Sequence, residues 1–130
     1  NVTCWGSGSP KREFLHADDL GEACVFALER WDPSAPDAPL DDQGAPLAFL
    51  NVGTGIELSI SKLANQIAET VGYNGNIDWD TSQPDGTPRK QLNVSRMANL
   101  GWKANIPLSS GLNKTYNDFL TRLESNKLRS

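Results

Sequence analysis

The apolar positions fall into short runs parted by turn formers, and the spacing within each run predicts its structure. Trp5-Gly-Ser-Gly-Ser-Pro10 is dense in turn residues, and Glu13-Phe-Leu-His16 behind it suits a short extended segment. The period then changes. Leu20, Ala23, Cys24, Ala27, Leu28 and Trp31 recur at helical offsets, which predicts a helix over about 19–31. Asp19 followed by Glu22 resembles a capping box with aspartate as the cap. Residues 32–46 hold four prolines and four aspartates and predict a surface loop. The nearly continuous apolar run at 47–52, closed by Gly53-Thr-Gly55, predicts a strand buried on both faces.

Farther on, Ile60, Leu63, Ala64, Ile67, Ala68 and Val71 form the cleanest helical stripe, with Ser59 as N-cap and Gly72 as C-cap. A short strand is expected near 76–80, and the prolines and glycine of Gln83-Pro-Asp-Gly-Thr-Pro-Arg-Lys90 argue against regular structure there. A short helix at 95–100 stops at Gly101, and a terminal helix carries Leu108, Leu112, Tyr116, Phe119, Leu120 and Leu123 on one face before a polar, fraying end. The sum is an α/β (α+β) chain: a small sheet with three main helices.

Composition narrows the function. At 130 residues the chain can form one domain with a modest core, to be read as one unit. No apolar run approaches the roughly 20 residues of a membrane helix, and the opening residues do not form a secretion signal. The formal charge of −4 disfavours a nucleic-acid surface. Cys4 and Cys24 lack close Cys or His partners and are read as buried cytosolic thiols.

Several chemistries are excluded by spacing. His16 is the one histidine, which removes mechanisms that need a histidine pair, and beside Asp18 and Asp19 at a helix start it is read as structural. Ser7 and Ser9 lack the strand-to-helix elbow of a serine hydrolase. A Gly-x-Gly-x-x-Gly loop fails twice, because Lys11 and Leu58 stand where the third glycine belongs. Tyr-x-x-x-Lys fails too, with Ile77 after Tyr73 and Leu120 after Tyr116. What remains are Lys11 and Arg12 in one irregular segment and Arg89 and Lys90 in another, either solvated surface cations or a phosphate grip. Trp5 offers a flat apolar face or a core side chain, and Asp85 an Asx turn or a hydrogen-bond acceptor.

Trp5-Gly-Ser-Gly-Ser-Pro-Lys-Arg-Glu-Phe-Leu-His-Ala-Asp-Asp19, Asn51-Val-Gly-Thr-Gly55, Gln83-Pro-Asp-Gly-Thr-Pro-Arg-Lys90 and Leu100-Gly-Trp102 together resemble GDP-L-fucose synthases, in order and at matching intervals. These are extended short-chain dehydrogenase/reductases. Pro-Asp-Gly-Thr-Pro-Arg-Lys is the discriminating piece; the Arg-x-Phe-x-His-x-x-Asp and Asn-Val-Gly-x-Gly pieces are shared with many nucleotide-sugar epimerases and dehydratases. The resemblance implies a C-terminal, substrate-binding portion of an enzyme that makes GDP-L-fucose from GDP-4-keto-6-deoxy-D-mannose by epimerisation and NADPH-dependent reduction. It implies that Trp5, Arg12 and Asp85 touch the GDP-sugar and that Lys90 neighbours its diphosphate. The NADP(H) site and the catalytic residues are expected upstream of Asn1, with the nucleotide-binding Rossmann half mostly missing, so the chain alone is expected to be inactive. A cytoplasmic, homodimeric parent is implied. The strand at 47–52 and the helix at 19–31 are expected to complete the missing sheet, and their bare faces to favour self-association. The alternatives are an epimerase or dehydratase of another specificity and a non-catalytic binding module.

Overall fold

In the computed structural model, residues 1–125 are described. They form strands β1 (Val2–Trp5), β2 (Lys11–Glu13), β3 (Glu57–Ser59), β4 (Ile77–Asp80) and β5 (Arg89–Lys90), and helices α1 (Ala17–Arg30), α2 (Ile60–Val71), α3 (Ser95–Leu100) and α4 (Leu108–Glu124). The chain divides into two compact units. One comprises Asn1–Arg12, Glu57–Lys90 and the stretch from Ile106 onward; the other comprises Glu13–Ile56 and Gln91–Asn105. The expected fraying of the last few residues concerns positions outside the described residues.

In the first unit β1 runs parallel to β4, with Val2 opposite Ile77 and Trp5 opposite Asp80. A second sheet has the order β3-β2-β5, and its β2–β5 pair is parallel, with Lys11 opposite Arg89 and Arg12 opposite Lys90. Helix α2 starts and stops where its caps require. The Ser59 hydroxyl accepts from the Lys62 amide at 3.2 Å, and Gly72 closes the helix in the left-handed region at φ 71°, which glycine adopts without a Cβ penalty. Packing of α2 against α4 leaves the apolar stripe of α2 only part-covered.

The second unit holds the closest packing. Ala23, Met97 and Trp102 are buried together, with Leu15, Phe26, Leu50, Val52 and Ala104 packed around them. Asp19 is buried beside this cluster and accepts from the Asn105 amide at 3.2 Å. Glu13 closes the Gly53-Thr-Gly55 turn: Oε1 accepts from the Gly55 amide at 2.8 Å and Oε2 from the Leu92 amide at 3.1 Å. A Cβ on Gly53 would collide with that same carboxylate.

Four expectations are corrected. No strand forms at 47–52, because a strand is a pairing and no partner lies alongside among the described residues. Leu47 is buried, Leu50 and Val52 reach the core, and Phe49 stays 63% exposed. Helix α1 begins earlier than expected: His16 Nδ1 caps it by accepting from the Asp18 amide at 3.1 Å, while Asp19 turns inward. The covered face of α1 follows Asp19, Ala23 and Phe26 rather than the whole apolar stripe, so Leu20, Val25 and Leu28 are exposed. Cys24 is therefore exposed and Cys4 only part-buried, and both are free thiols. Arg89 and Lys90 are strand residues despite the prolines before them, because β2 supplies the partner.

Candidate functional site

Two loops leave the carboxyl ends of the parallel strands β1 and β4, the place where open α/β sheets bind ligands. Residues 6–10 follow β1, and residues 81–88 follow β4. All the candidate contacts lie at the end of β1, on these loops, or on β2 and β5 directly beyond them.

Turn chemistry sets the first loop. Gly6 and Gly8 both have positive φ, 81° and 70°, and both are approached closely from one side. The Gly6 amide donates to the Asp80 carbonyl at 2.9 Å, and the Gly8 carbonyl accepts from the Ser61 amide at 2.9 Å, which ties the loop to the first turn of α2. Across from it, the Ser7 amide donates to Asp85 Oδ1 at 2.8 Å and the Ser7 hydroxyl to Asp85 Oδ2 at 2.6 Å. The Ser7 hydroxyl, then the Ser7 amide, hold the Asp85 carboxyl below its ordinary range, because both bonds favour the charged form.

The four cations of the two segments meet on β2 and β5, and one carboxylate sorts them. Glu57 of β3 lies 2.6 Å from Arg89 Nε and 3.6 Å from Lys11 Nζ. Its own ionisation is made easier mainly by the hydrogen bond from Arg89. Side chains alternate between faces along a strand, so the rung of Arg12 and Lys90 faces away from the rung of Lys11 and Arg89 that Glu57 pairs with. Arg12 is half-buried, and its Nη1 donates to the Thr87 carbonyl and the Lys11 carbonyl, both at 2.7 Å. That fixes the plane of the guanidinium and leaves Nε and Nη2 as further donors. Lys90 is exposed beside it.

Trp5 is 76% exposed at the end of β1, so its indole is a surface face and not part of a core. The structure thus brings Arg12 into one region with Asp85 and Lys90, although it stands more than 70 positions from either, and sets Trp5 at the mouth of the same loop. Two residues in this region were not singled out from sequence. Ser7 reads there as one more turn former, and Glu57 is an isolated acid; the partners that give them roles are far away in the chain. The open depression between the end of α2 and the start of β4, about 650 Å³ and lined by Asn65, Glu69, Tyr73, Asn76 and Asp78, gathers none of the candidates. No group of metal-ligating side chains occurs among the described residues.

The model of the NAD dependent epimerase/dehydratase family matches residues 1–38. A GDP-L-fucose synthase of Escherichia coli is 46% identical over 120 residues, covering 92% of this chain and 36% of that protein. A GDP-6-OMe-4-keto-L-xylo-heptose reductase from Campylobacter jejuni superposes with a TM-score of 0.82 at 32% identity, over 92% of this chain and 34% of that one. A GDP-mannoheptose C4 reductase from the same organism, with NADP bound, gives 0.74 at 30% identity over 91% of this chain and 34% of that one. The chain spans about a third of the length of the curated relatives it matches.

Proposed function

We propose, for a chain that belongs to the NAD dependent epimerase/dehydratase family and is related along nearly its whole length to GDP-L-fucose synthases, that it is the GDP-sugar-binding part of such an enzyme. The observation that carries this is the pairing of Arg12 with Lys90 on one rung of β2 and β5, facing away from the rung that Glu57 pairs with, with Trp5 at the end of β1 and Asp85 in the loop after β4. Arg12 offers a planar fork to the diphosphate, oriented in advance by the Thr87 and Lys11 carbonyls. Lys90 adds a second positive charge. Asp85 keeps lone pairs beyond the two that Ser7 uses and can accept from the nucleoside. Trp5 supplies a flat face against the ligand.

The whole enzyme would convert GDP-4-keto-6-deoxy-D-mannose to GDP-L-fucose, with NADP(H) supplying the hydride, in a cytoplasmic homodimer. Among the described residues no helix is long and apolar enough to cross a membrane. The residues present do not fit the cofactor. The two glycine turns that could cradle a pyrophosphate are filled from within, Gly8 by the Trp79 ring and Gly53 by the Glu13 carboxylate. What this chain contributes is binding and orientation, which place the reacting sugar for groups outside it. Alone it does not catalyse, and the exposed Leu20, Val25, Leu28 and Phe49 favour self-association.

Calorimetric titration with GDP tests this: the chain binds, and Arg12→Ala weakens binding by about tenfold or more, as expected for a charge-assisted pair. Equal heats from the two proteins would remove Arg12 from the site. In a thermal-shift comparison GDP stabilises while UDP and dTDP do not, because only a ligand of the folded state raises its melting temperature. The likeness to the heptose reductase favours a second reading, reduction of a different GDP-sugar. Preferential displacement of GDP by GDP-mannoheptose over GDP-L-fucose would select it.

A further inference from the structure

We propose that Ser7 is a positioning residue for the nucleotide site, holding the Asp85 carboxylate from two directions so that loop 81–88 lies where Arg12 and Lys90 can be presented together. This rests on the GDP-binding reading above and assigns a role to a side chain outside the four candidate contacts. Ser7 and Asp85 are 78 positions apart, yet amide and hydroxyl reach both carboxylate oxygens at 2.8 and 2.6 Å. A hydroxyl has one proton. With that of Ser7 given to Asp85, its oxygen accepts from the Ser9 amide at 3.1 Å and faces the Ser9 hydroxyl at 2.7 Å, which fixes the rotamer of Ser7.

The clamp has no slack. A Cβ on Gly6 would sit 2.5 Å from Asp85 Oδ1, so the carboxylate lies flat against the turn, and φ 81° at Gly6 keeps other residue types out. Past Asp85 the second loop is tied again, by Arg12 Nη1 to the Thr87 carbonyl at 2.7 Å and the Lys11 amide to the Pro88 carbonyl at 2.9 Å. A Cβ on Gly86, between these ties, would come within 3.2 Å of Arg12 Nη2. Loss of the Ser7 tie leaves the segment before Gly86 free to move against the guanidinium. Ser7 and Asp85 are both exposed, so the clamp orders a loop more than it supports the core. Its signature is lost affinity without lost stability.

The experiment uses the 130-residue chain with GDP as the probe. Ser7→Ala weakens GDP binding about tenfold, the scale of one hydrogen bond to a charged group, and Ser7→Thr, which keeps the hydroxyl, restores most of it. The melting temperature of Ser7→Ala stays near that of the parent. Unchanged affinity in Ser7→Ala beside a loss in Arg12→Ala overturns the positioning role and leaves the GDP reading standing. A fall in melting temperature that accounts for the affinity loss makes Ser7 merely structural and also overturns it. If the parent chain does not bind GDP, the nucleotide reading falls and the positioning role with it. An NMR titration then reports on the clamp alone: the Ser7 amide signal follows an Asp85 carboxyl that titrates below the ordinary aspartate range. A Ser7 amide indifferent to Asp85, or an Asp85 that titrates as usual, means the clamp does not exist.

Discussion

Replacing Gly8 with alanine separates two reasons for a glycine in the turn after β1. At φ 70°, any L-residue with a side chain bears a left-handed penalty of about 1–2 kcal/mol. A Cβ there would also lie 2.7–2.8 Å from three atoms of the Trp79 ring, far inside van der Waals contact. Overpacking of this kind costs about 1–3 kcal/mol, since the ring can retreat only by moving β4 or leaving its rotamer. Gly72 is the control. It has φ 71° in the same unit, but its Cβ position is open, with nothing within 4 Å. Gly72→Ala should therefore cost about 1–2 kcal/mol and Gly8→Ala about 2–5 kcal/mol in urea unfolding followed by tryptophan fluorescence. The difference, about 1–3 kcal/mol, is the Trp79 contact, and a Trp79→Leu background should remove most of it. GDP affinity should fall with Gly8→Ala only, because its carbonyl anchors the loop to Ser61. Equal destabilisation by the two alanines would refute the close approach, whatever either value is.

Two further substitutions examine the carboxylates. Glu57→Gln keeps the shape of a side chain whose ionisation is favoured by Arg89 and Lys11. A depressed folded-state pKa gives stability that is present above the unfolded value of about 4.3 and lost as pH falls through the folded one. The parent's urea midpoint should accordingly drop more steeply below that range than the variant's, and parallel curves would show that Glu57 makes no such pairing. Glu13→Gln turns one acceptor into a donor facing an amide, so either Gly55 or Leu92 loses its partner at a cost of about 1.5–3 kcal/mol. Hydrogen exchange at those two amides checks it, and unchanged protection at both would contradict the bridge.

What the amino-acid pattern disclosed follows from the range over which each signal acts. The apolar positions of α1, α2 and α4 recur at intervals of three and four whether or not they end up buried, so the periodicity of Leu63, Ile67 and their neighbours is visible locally, as are Ser59 and Gly72 at the ends of α2. Strands are relations between segments. Apolar content at 47–52 is necessary for a buried strand and insufficient without a neighbour, whereas Arg89 and Lys90, with no β-like composition, become a strand because β2 lies beside them. The position of the first cap fails for a related reason. Asp19 and His16 can each cap a helix, and what decides between them is that the Asn105 amide, 86 positions away, needs the Asp19 carboxylate inside.

The same distinction governs the site. Residue type alone marks Lys11, Arg12, Arg89, Lys90 and Asp85 equally, and the family resemblance picks Arg12, Asp85 and Lys90 from among them, while nothing local in a Gly-Ser-Gly-Ser turn separates Ser7 from Ser9. Geometry separates them. Ser7 meets both oxygens of Asp85 through its amide and hydroxyl, whereas Ser9 bonds to Ser7 and adds only a minor side-chain contact to that carboxylate. Likewise two of four cations are set apart by Glu57, an acid with no motif around it. An electrostatic site is thus defined as much by which charges are cancelled as by which are present, and cancellation depends on contacts that span the chain. Charge reversal at this one position follows from that logic: Glu57→Lys would place three like charges on one face of β2, β3 and β5 and should part Lys11 from Arg89, displacing the Arg12–Lys90 rung that shares their strands.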